Sequence, residues 1–185
     1  NEELAIQTRE YTLPLWNSYK YLATYANIHE WEPTVTLAHN DRTIWDDLHP
    51  WDHITFDEMD NELDAWILLR LQKLIGNVTK SLDEYDSANA IRLLKSFLND
   101  LSGWYIRRSR DRFVQGEIRS MEVLYYVLVE FTKLSAPITP MISEYIYKEL
   151  TIKLDIPESV HLCDYPVVDL KFIEEYSQVE PQMEM

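Results

Sequence analysis

The chain has 185 residues, of which 46% are hydrophobic and 12% aromatic, enough for the core of one packed domain. No apolar run approaches the roughly 18 residues of a membrane helix, so we expect no membrane partner. Cys163 is the only cysteine, which excludes an internal disulfide and fits a reducing cytoplasm. The net charge of -15 argues against nucleic acid for the chain as a whole, but residues 65–154 carry +3 while residues 29–64 carry -10 and residues 155–185 carry -7.

The first predicted helix runs from about Leu15 to Ile28, with Pro14 in its first turn and Glu32-Pro33 after its end. Apolar residues recur along it at helical spacing. Residues 29–61 lack that period and contain scattered prolines, tryptophans and aspartates. We predict an irregular acidic loop there.

Apolar positions spaced by three and four predict the rest of a helical bundle, and the presence of only three glycines favours long helices over strands. The further predicted helices cover about Asn61 to Tyr85, Ser87 to Val114, Glu117 to Leu134 and Pro140 to Lys153. Residues 155–185 are predicted to form an extended tail that is disordered from Glu174 onward. The predicted fold is therefore an all-α, antiparallel helical bundle of about five helices over residues 1–154, followed by a tail.

Sequence signatures of catalysis are absent, since the chain has no GxxxxGK[ST], GxGxxG or HExxH motif. His49 and His53 have the spacing of metal ligands, but Pro50 lies between them and interrupts a regular helix, so we predict no metal site. We interpret Cys163 as a structural residue rather than a nucleophile.

The densest chemical feature is WYIRRSRDRF, residues 104–113, with four arginines and three aromatics in ten residues. On a helix, Trp104, Arg108 and Arg112 form one stripe, and Arg107 and Arg110 form a neighbouring one. Guanidinium groups bind phosphates, and aromatic or guanidinium planes stack on unpaired bases. The pattern therefore suits single-stranded RNA.

A structural explanation of the same arginines is open as well. Cations near the end of a helix complement its dipole. The arginines could also pair with acidic neighbours, namely Asp100, Asp111 or Glu117.

Five stretches resemble, in order, the anticodon-binding domain of the isoleucyl-tRNA synthetases, a class I family. They are LPLWNSYK from Leu13, LDAWILLRL from Leu63, WYIRRSRDRF from Trp104, LSAPITPM from Leu134 and ESVHLCDYP from Glu158. The second stretch is shared with valyl and leucyl enzymes. The arginine block and ESVHL resemble the isoleucyl pattern of eukaryotes, archaea and some bacteria. Val114 departs from it, because that branch leads us to expect Trp there.

The resemblance implies a part of an ATP-dependent isoleucine–tRNA ligase. The ATP-binding HIGH and KMSKS signatures of that family are absent, so ATP and magnesium belong to a catalytic domain outside this chain, and the chain itself is expected to be non-catalytic and to need no cofactor. Because it begins with Asn1, we expect it to be cut from a longer protein, with residues 155–185 leading to a missing C-terminal region. The implied partners are isoleucine tRNA and the catalytic domain of the same chain, in a cytoplasmic monomer.

The predicted tRNA-binding residues are those of the first helix's polar face and the arginine block: Asn17, Lys20, Tyr21, Trp104, Arg107, Arg108, Arg110 and Arg112. The arginines would bind phosphates, which fixes register without reading sequence. Asn17 is expected to read a base edge, because related class I synthetases place a polar helix face there. Lys20 would add a base or phosphate contact, and Trp104 or Tyr21 a stacking surface.

Three alternatives stay open at the level of sequence. The chain could be a helical protein-interaction module, supported by its acidity and by Trp31, Trp45 and Trp51, which look exposed. It could be the equivalent domain of a valyl-tRNA synthetase. It could also act mainly as a docking surface inside its parent enzyme.

Overall fold

The computed structural model describes residues 8–33, 61–152, 154 and 156–177, and no strand occurs among them. Its α-helices are Leu13–Ile28 (α1), Glu62–Asp83 (α2), Ser87–Asn99 (α3), Ile106–Arg108 (α4), Arg110–Val114 (α5), Ile118–Ser135 (α6), Pro140–Thr151 (α7) and Leu170–Tyr176 (α8). The predicted all-α class is confirmed. Within the ranges given above, every helix is too short or too polar to cross a membrane.

Local chemistry accounts for several of the helix starts. The Asn61 side chain accepts a hydrogen bond from the Leu63 N–H at 2.9 Å, and the Asp86 side chain accepts one from the Asn89 N–H at 2.9 Å. Prolines, whose missing N–H costs nothing at the first turn, begin α1 and α7. A π-helical turn, Thr8–Thr12, precedes α1, so the helical segment starts earlier than predicted.

The helices α2 and α3 pack antiparallel. At one end of the α2–α3 pair, Asn89 Nδ2 donates to Ser81 Oγ at 2.8 Å. At the other end, beyond α3, the Tyr105 hydroxyl donates to Asp64 Oδ1 at 2.8 Å. These two contacts fix the register of α2 against the helical segment that carries the arginines.

The first helix lies parallel to that segment. Lys95 Nζ of α3, before that segment, pairs with Glu10 Oε2, before α1, at 3.2 Å, and His29 Nε2 lies 2.9 Å from the Phe113 carbonyl oxygen at the far ends of both. The C-terminal end of α1 and the end of the arginine segment are therefore neighbours in space. This proximity joins two separate parts of the sequence into one surface.

The predicted third helix is wrong in its continuity. After α3 the chain forms a π-helical turn, Asp100–Tyr105, then the short helix α4, a bend at the fully buried Ser109, and α5. A π-turn adds one residue to the helical repeat and rotates everything after it by about 100°. The direction of each arginine therefore depends on this turn as well as on helical spacing.

The predicted extended tail is wrong over two segments, because Val160–Leu162 forms a 3-10 turn and α8 covers Leu170–Tyr176. Phe172 of α8 is 3% exposed and belongs to the main core. The Asp169 N–H donates to the buried Gln72 Oε1 at 2.9 Å. The disorder predicted from Glu174 does not hold for residues 174–177, and residues 178–185 lie outside the described residues.

Most of the core is one large cluster between the helices, which includes the rings of Phe97 and Phe131, stacked with centroids 5.8 Å apart. Trp31, expected to be exposed, is half-buried and packs edge-on against Tyr125 with ring centroids 5.9 Å apart. The interpretation as a protein-interaction module therefore loses one of its three tryptophans. Most of the predicted acidic loop, with Trp45, Trp51 and the two histidines, lies outside the described residues.

Candidate nucleic-acid interface

The polar face of α1 is open to solvent. Asn17 and Lys20 are exposed, and neither side chain forms a hydrogen bond or ion pair within the described residues. The face exists because Leu15 and Leu22 are buried on the opposite side of the helix. An amide and an ammonium group three residues apart thus point the same way with their hydrogen-bonding capacity unused.

Tyr21 links this face to the arginine segment. Its half-buried ring lies 4.8 Å from the Tyr25 ring and 5.0 Å, edge-on, from Phe113 of α5. Burial, with a smaller contribution from Tyr25, raises the pKa of the Tyr21 hydroxyl to about 12, and the positive charge of Arg110 opposes that rise. Tyr21 therefore supports the interface from beneath, and only part of its ring is left for the stacking role that we predicted.

Three of the four arginines are free to meet a ligand. Arg107, Arg108 and Arg110 are exposed. No ion pair joins any of them to a carboxylate in residues 8–33, 61–152, 154 or 156–177. Of the acids proposed as structural partners, Asp100 pairs with Arg70 instead, at 2.6 Å.

Arg112 differs from the other arginines, and its predicted place in the tRNA-binding set needs correction. Its guanidinium forms two hydrogen bonds to Asp64, at 2.7 and 2.6 Å, and two to Glu117, at 2.6 and 2.9 Å. The Arg112 side chain is 16% exposed and that of Asp64 is 3% exposed. Burial would lower the pKa of Arg112, but these bonds and charges outweigh it and raise the pKa. Arg112 is a structural residue that ties α5 to α2.

Trp104 and Arg108 form the predicted stripe, but they contact each other. The Arg108 guanidinium carbon lies 4.0 Å from the centre of the Trp104 ring, a cation–π contact. Trp104 also contacts the buried Trp66 of α2 edge-on, with ring centroids 5.1 Å apart. The Trp104 ring that we predicted to stack on a base is partly buried and already contacts Arg108, whose exposed guanidinium is a second plane at this position.

The contacts of Asp64, Trp66 and Arg70 explain two of the sequence motifs together. All three belong to LDAWILLRL, and their partners, among them Trp104 and Arg112, lie in or just before WYIRRSRDRF. Sequence reasoning missed these pairs. A usable signal existed, since a carboxylate and an arginine inside an apolar helical run both need a partner when they are buried.

Two further residues shape the end of the arginine segment, and neither was predicted as a site residue. His29 contacts the Phe113 carbonyl, one of the last carbonyls of the segment. Gly116 follows with φ of +74°, and a Cβ there would lie 2.6 Å from His29 Nδ1. Only glycine satisfies both the positive φ and this close approach. Val114, beside them, is 56% exposed, so the Trp expected at this position would lie on the surface.

The ESVHL stretch is hydrogen-bonded to α7 and has a structural role. Glu144 Oε2 accepts hydrogen bonds from the Ser159 hydroxyl and the Val160 N–H, each at 2.9 Å. The Cys163 thiol donates to the Tyr147 hydroxyl oxygen at 3.0 Å. Burial is the main cause that raises the pKa of Cys163, which keeps it protonated and fits the structural role predicted for it.

Comparison with known proteins agrees with this architecture. The chain is 37% identical over 181 residues to an isoleucine–tRNA ligase of Protochlamydia amoebophila, which covers 95% of the chain and 15% of that protein. It is 38% identical over 185 residues to an isoleucine–tRNA ligase of Dehalococcoides mccartyi strain CBDB1, covering 96% of the chain and 16% of that protein. The chain thus spans about one sixth of the length of these relatives. The family model described as the anticodon-binding domain of tRNA ligase matches residues 64–185, and the chain belongs to this family.

Proposed function

We propose that the chain binds the anticodon stem-loop of isoleucine tRNA and positions that tRNA for aminoacylation by a catalytic domain of the same protein. The observation that carries the proposal is a solvent-facing cluster of three unpaired arginines beside the polar face of α1, in a chain whose overall charge is -15. Such a local excess of positive charge is typical of a phosphate-binding surface. The isoleucine–tRNA ligases among the relatives support isoleucine over valine tRNA.

The binding role that we propose for each side chain follows from its surroundings. Arg107, Arg108 and Arg110 bind backbone phosphates, and the contact with Trp104 restricts the conformations of Arg108 before binding. Asn17 reads a base edge through its amide, which offers both donors and acceptors. Lys20, on the same face, binds a base or a phosphate.

The activity of the whole protein is part of the same proposal. The parent would activate isoleucine with ATP and magnesium in its catalytic domain and transfer it to the tRNA. The present chain contributes binding and orientation. We further propose a monomer in the cytoplasm, where the tRNA substrate is found.

A filter-binding titration of the chain against isoleucine tRNA and a second tRNA tests the proposal. We expect tighter binding of isoleucine tRNA and a steep loss of affinity with salt, since each neutralised phosphate releases counterions. Arg110→Glu should weaken binding strongly. Arg92→Glu is the control, because Arg92 is also an exposed arginine and lies near the start of α3. Equal affinity for the two tRNAs, or equal effects of the two substitutions, would refute the proposal.

A further inference from the structure

An aromatic pair formed by α1 and α7 has no role in the assignments made so far. The Trp16 ring of α1 lies 5.6 Å from the Tyr145 ring of α7, tilted by 43°. Tyr145 is 50% exposed, and Met141, one turn earlier on α7, is 85% exposed. A tyrosine ring held by a tryptophan but half open to solvent is a preformed flat apolar surface.

The pair is continuous with the polar face of α1. Successive residues of an α-helix are rotated by about 100°, so Asn17 and Lys20 lie between Trp16 on one side and Tyr21 on the other. Tyr21 borders the arginine segment through Phe113. The exposed face of α1 is thus flanked by cations on one side and by the Trp16–Tyr145 pair on the other.

The charges around the pair favour a base over a phosphate. The Tyr19 hydroxyl donates to Glu149 Oε2 at 3.4 Å, which fixes a carboxylate one turn after Tyr145 on α7. The nearest cation on α7, Lys148, is paired with Glu144 at 2.8 Å. A phosphate would be repelled by Glu149, whereas the uncharged face of a base is not, and amino groups on its edge are hydrogen-bond donors that a carboxylate accepts.

We propose that the Trp16–Tyr145 pair is a stacking site for one unpaired base of the RNA loop, next to the base that Asn17 reads. This rests on the proposed function. The loop backbone would cross from the arginines over the polar face of α1, with one base turned onto the Tyr145 ring. A single-stranded loop suits this surface because its bases can be splayed out and stacked on aromatic side chains.

The test combines a protein substitution with single abasic positions in the RNA. Dissociation constants are measured for the wild-type chain, Tyr145→Ala and Tyr145→Phe against an intact isoleucine-tRNA anticodon stem-loop. They are measured again with a series of stem-loops in which one loop base at a time is removed. We expect Tyr145→Ala to weaken binding of the intact loop about fivefold or more, the range for loss of one base–aromatic stack, and Tyr145→Phe to keep wild-type affinity.

One abasic position should identify the stacked base. Its removal should weaken binding to the wild-type chain by a similar factor but should leave binding to Tyr145→Ala unchanged, because the stack is already lost. The inference is overturned if Tyr145→Ala binds the intact loop like the wild type, or if it weakens every RNA by the same factor. The former result would indicate that the pair serves another contact, and the latter that its role is structural. These outcomes are separate from failure of the proposed function, in which the wild-type chain and the Arg110→Glu variant bind the loop equally.

Discussion

Replacement of Asp64 by asparagine tests whether Arg112 holds the bundle together rather than the RNA. The Asp64 carboxylate accepts three short hydrogen bonds, from Tyr105 and from both terminal nitrogens of Arg112, and it is almost completely buried. Breaking a buried ion pair from one side costs about 3–5 kcal/mol. Because Glu117 still neutralises Arg112, we expect the lower end, about 3 kcal/mol. For a domain of this size that corresponds to a decrease in Tm of roughly 6–12 °C.

Urea unfolding followed by far-UV circular dichroism measures this change, with Arg112→Gln as the reciprocal substitution. The double substitution should cost less than the sum of the two single ones, since both remove the same contact. Arg110→Gln is the control, because Arg110 is exposed and should alter the free energy of unfolding by less than about 0.5 kcal/mol. If Asp64→Asn proves as mild as Arg110→Gln, the structural role assigned to Arg112 is wrong.

Three other substitutions probe the same end of the molecule. Gly116→Ala combines a positive φ with a Cβ only 2.6 Å from His29 Nδ1, and it should lower the free energy of unfolding by more than about 1 kcal/mol in the same urea assay; a neutral effect would contradict it. The pKa of Glu117 is lowered from its ordinary value of 4.5, chiefly by its hydrogen bonds with the neighbouring guanidinium, so its stabilising contribution is present above pH 4.5 and is lost as the pH falls below that value. Glu117→Gln should therefore flatten the acid limb of unfolding free energy against pH, and an unchanged limb would argue against the pair. Trp104→Leu removes the ring on which Arg108 rests and should weaken tRNA binding about two- to fivefold in the filter assay, equivalent to the roughly 0.5–1 kcal/mol of an exposed cation–π contact; an unchanged dissociation constant would refute that role.

The sequence was sufficient to locate the long helices α1, α2, α3, α6 and α7, because their signals are local. Apolar spacing located the buried faces, and residue types that favour helix caps stand at two of the starts, where the structure has Asn61 and Asp86 as the caps. The π-turn Asp100–Tyr105 left no comparable signal. Its sequence, DLSGWY, fits an α-helix almost as well, and the extra residue is stabilised by packing against distant parts of the chain.

The candidate site shows the same limit at the level of single side chains. Arg108 and Arg112 lie on one helical stripe, so spacing alone gave them the same role. Whether each meets solvent or a carboxylate is decided by where α2 lies, and the partner carboxylate of Asp64 is 48 residues away in sequence. The prediction that the tail is extended failed for a related reason. The apolar residue Phe172 that draws α8 into the core has its binding surface on other helices.

The docking of α8 has a practical consequence for dissecting the protein. A cut after residue 154 would expose the part of the core that Phe172 covers. It would also remove the Asp169 N–H that donates a hydrogen bond to the buried Gln72 side chain. The newly exposed apolar surface would favour self-association, and the undocked end would be open to gradual proteolysis. Fragments intended for binding studies are therefore best ended beyond Tyr176, the last residue of α8.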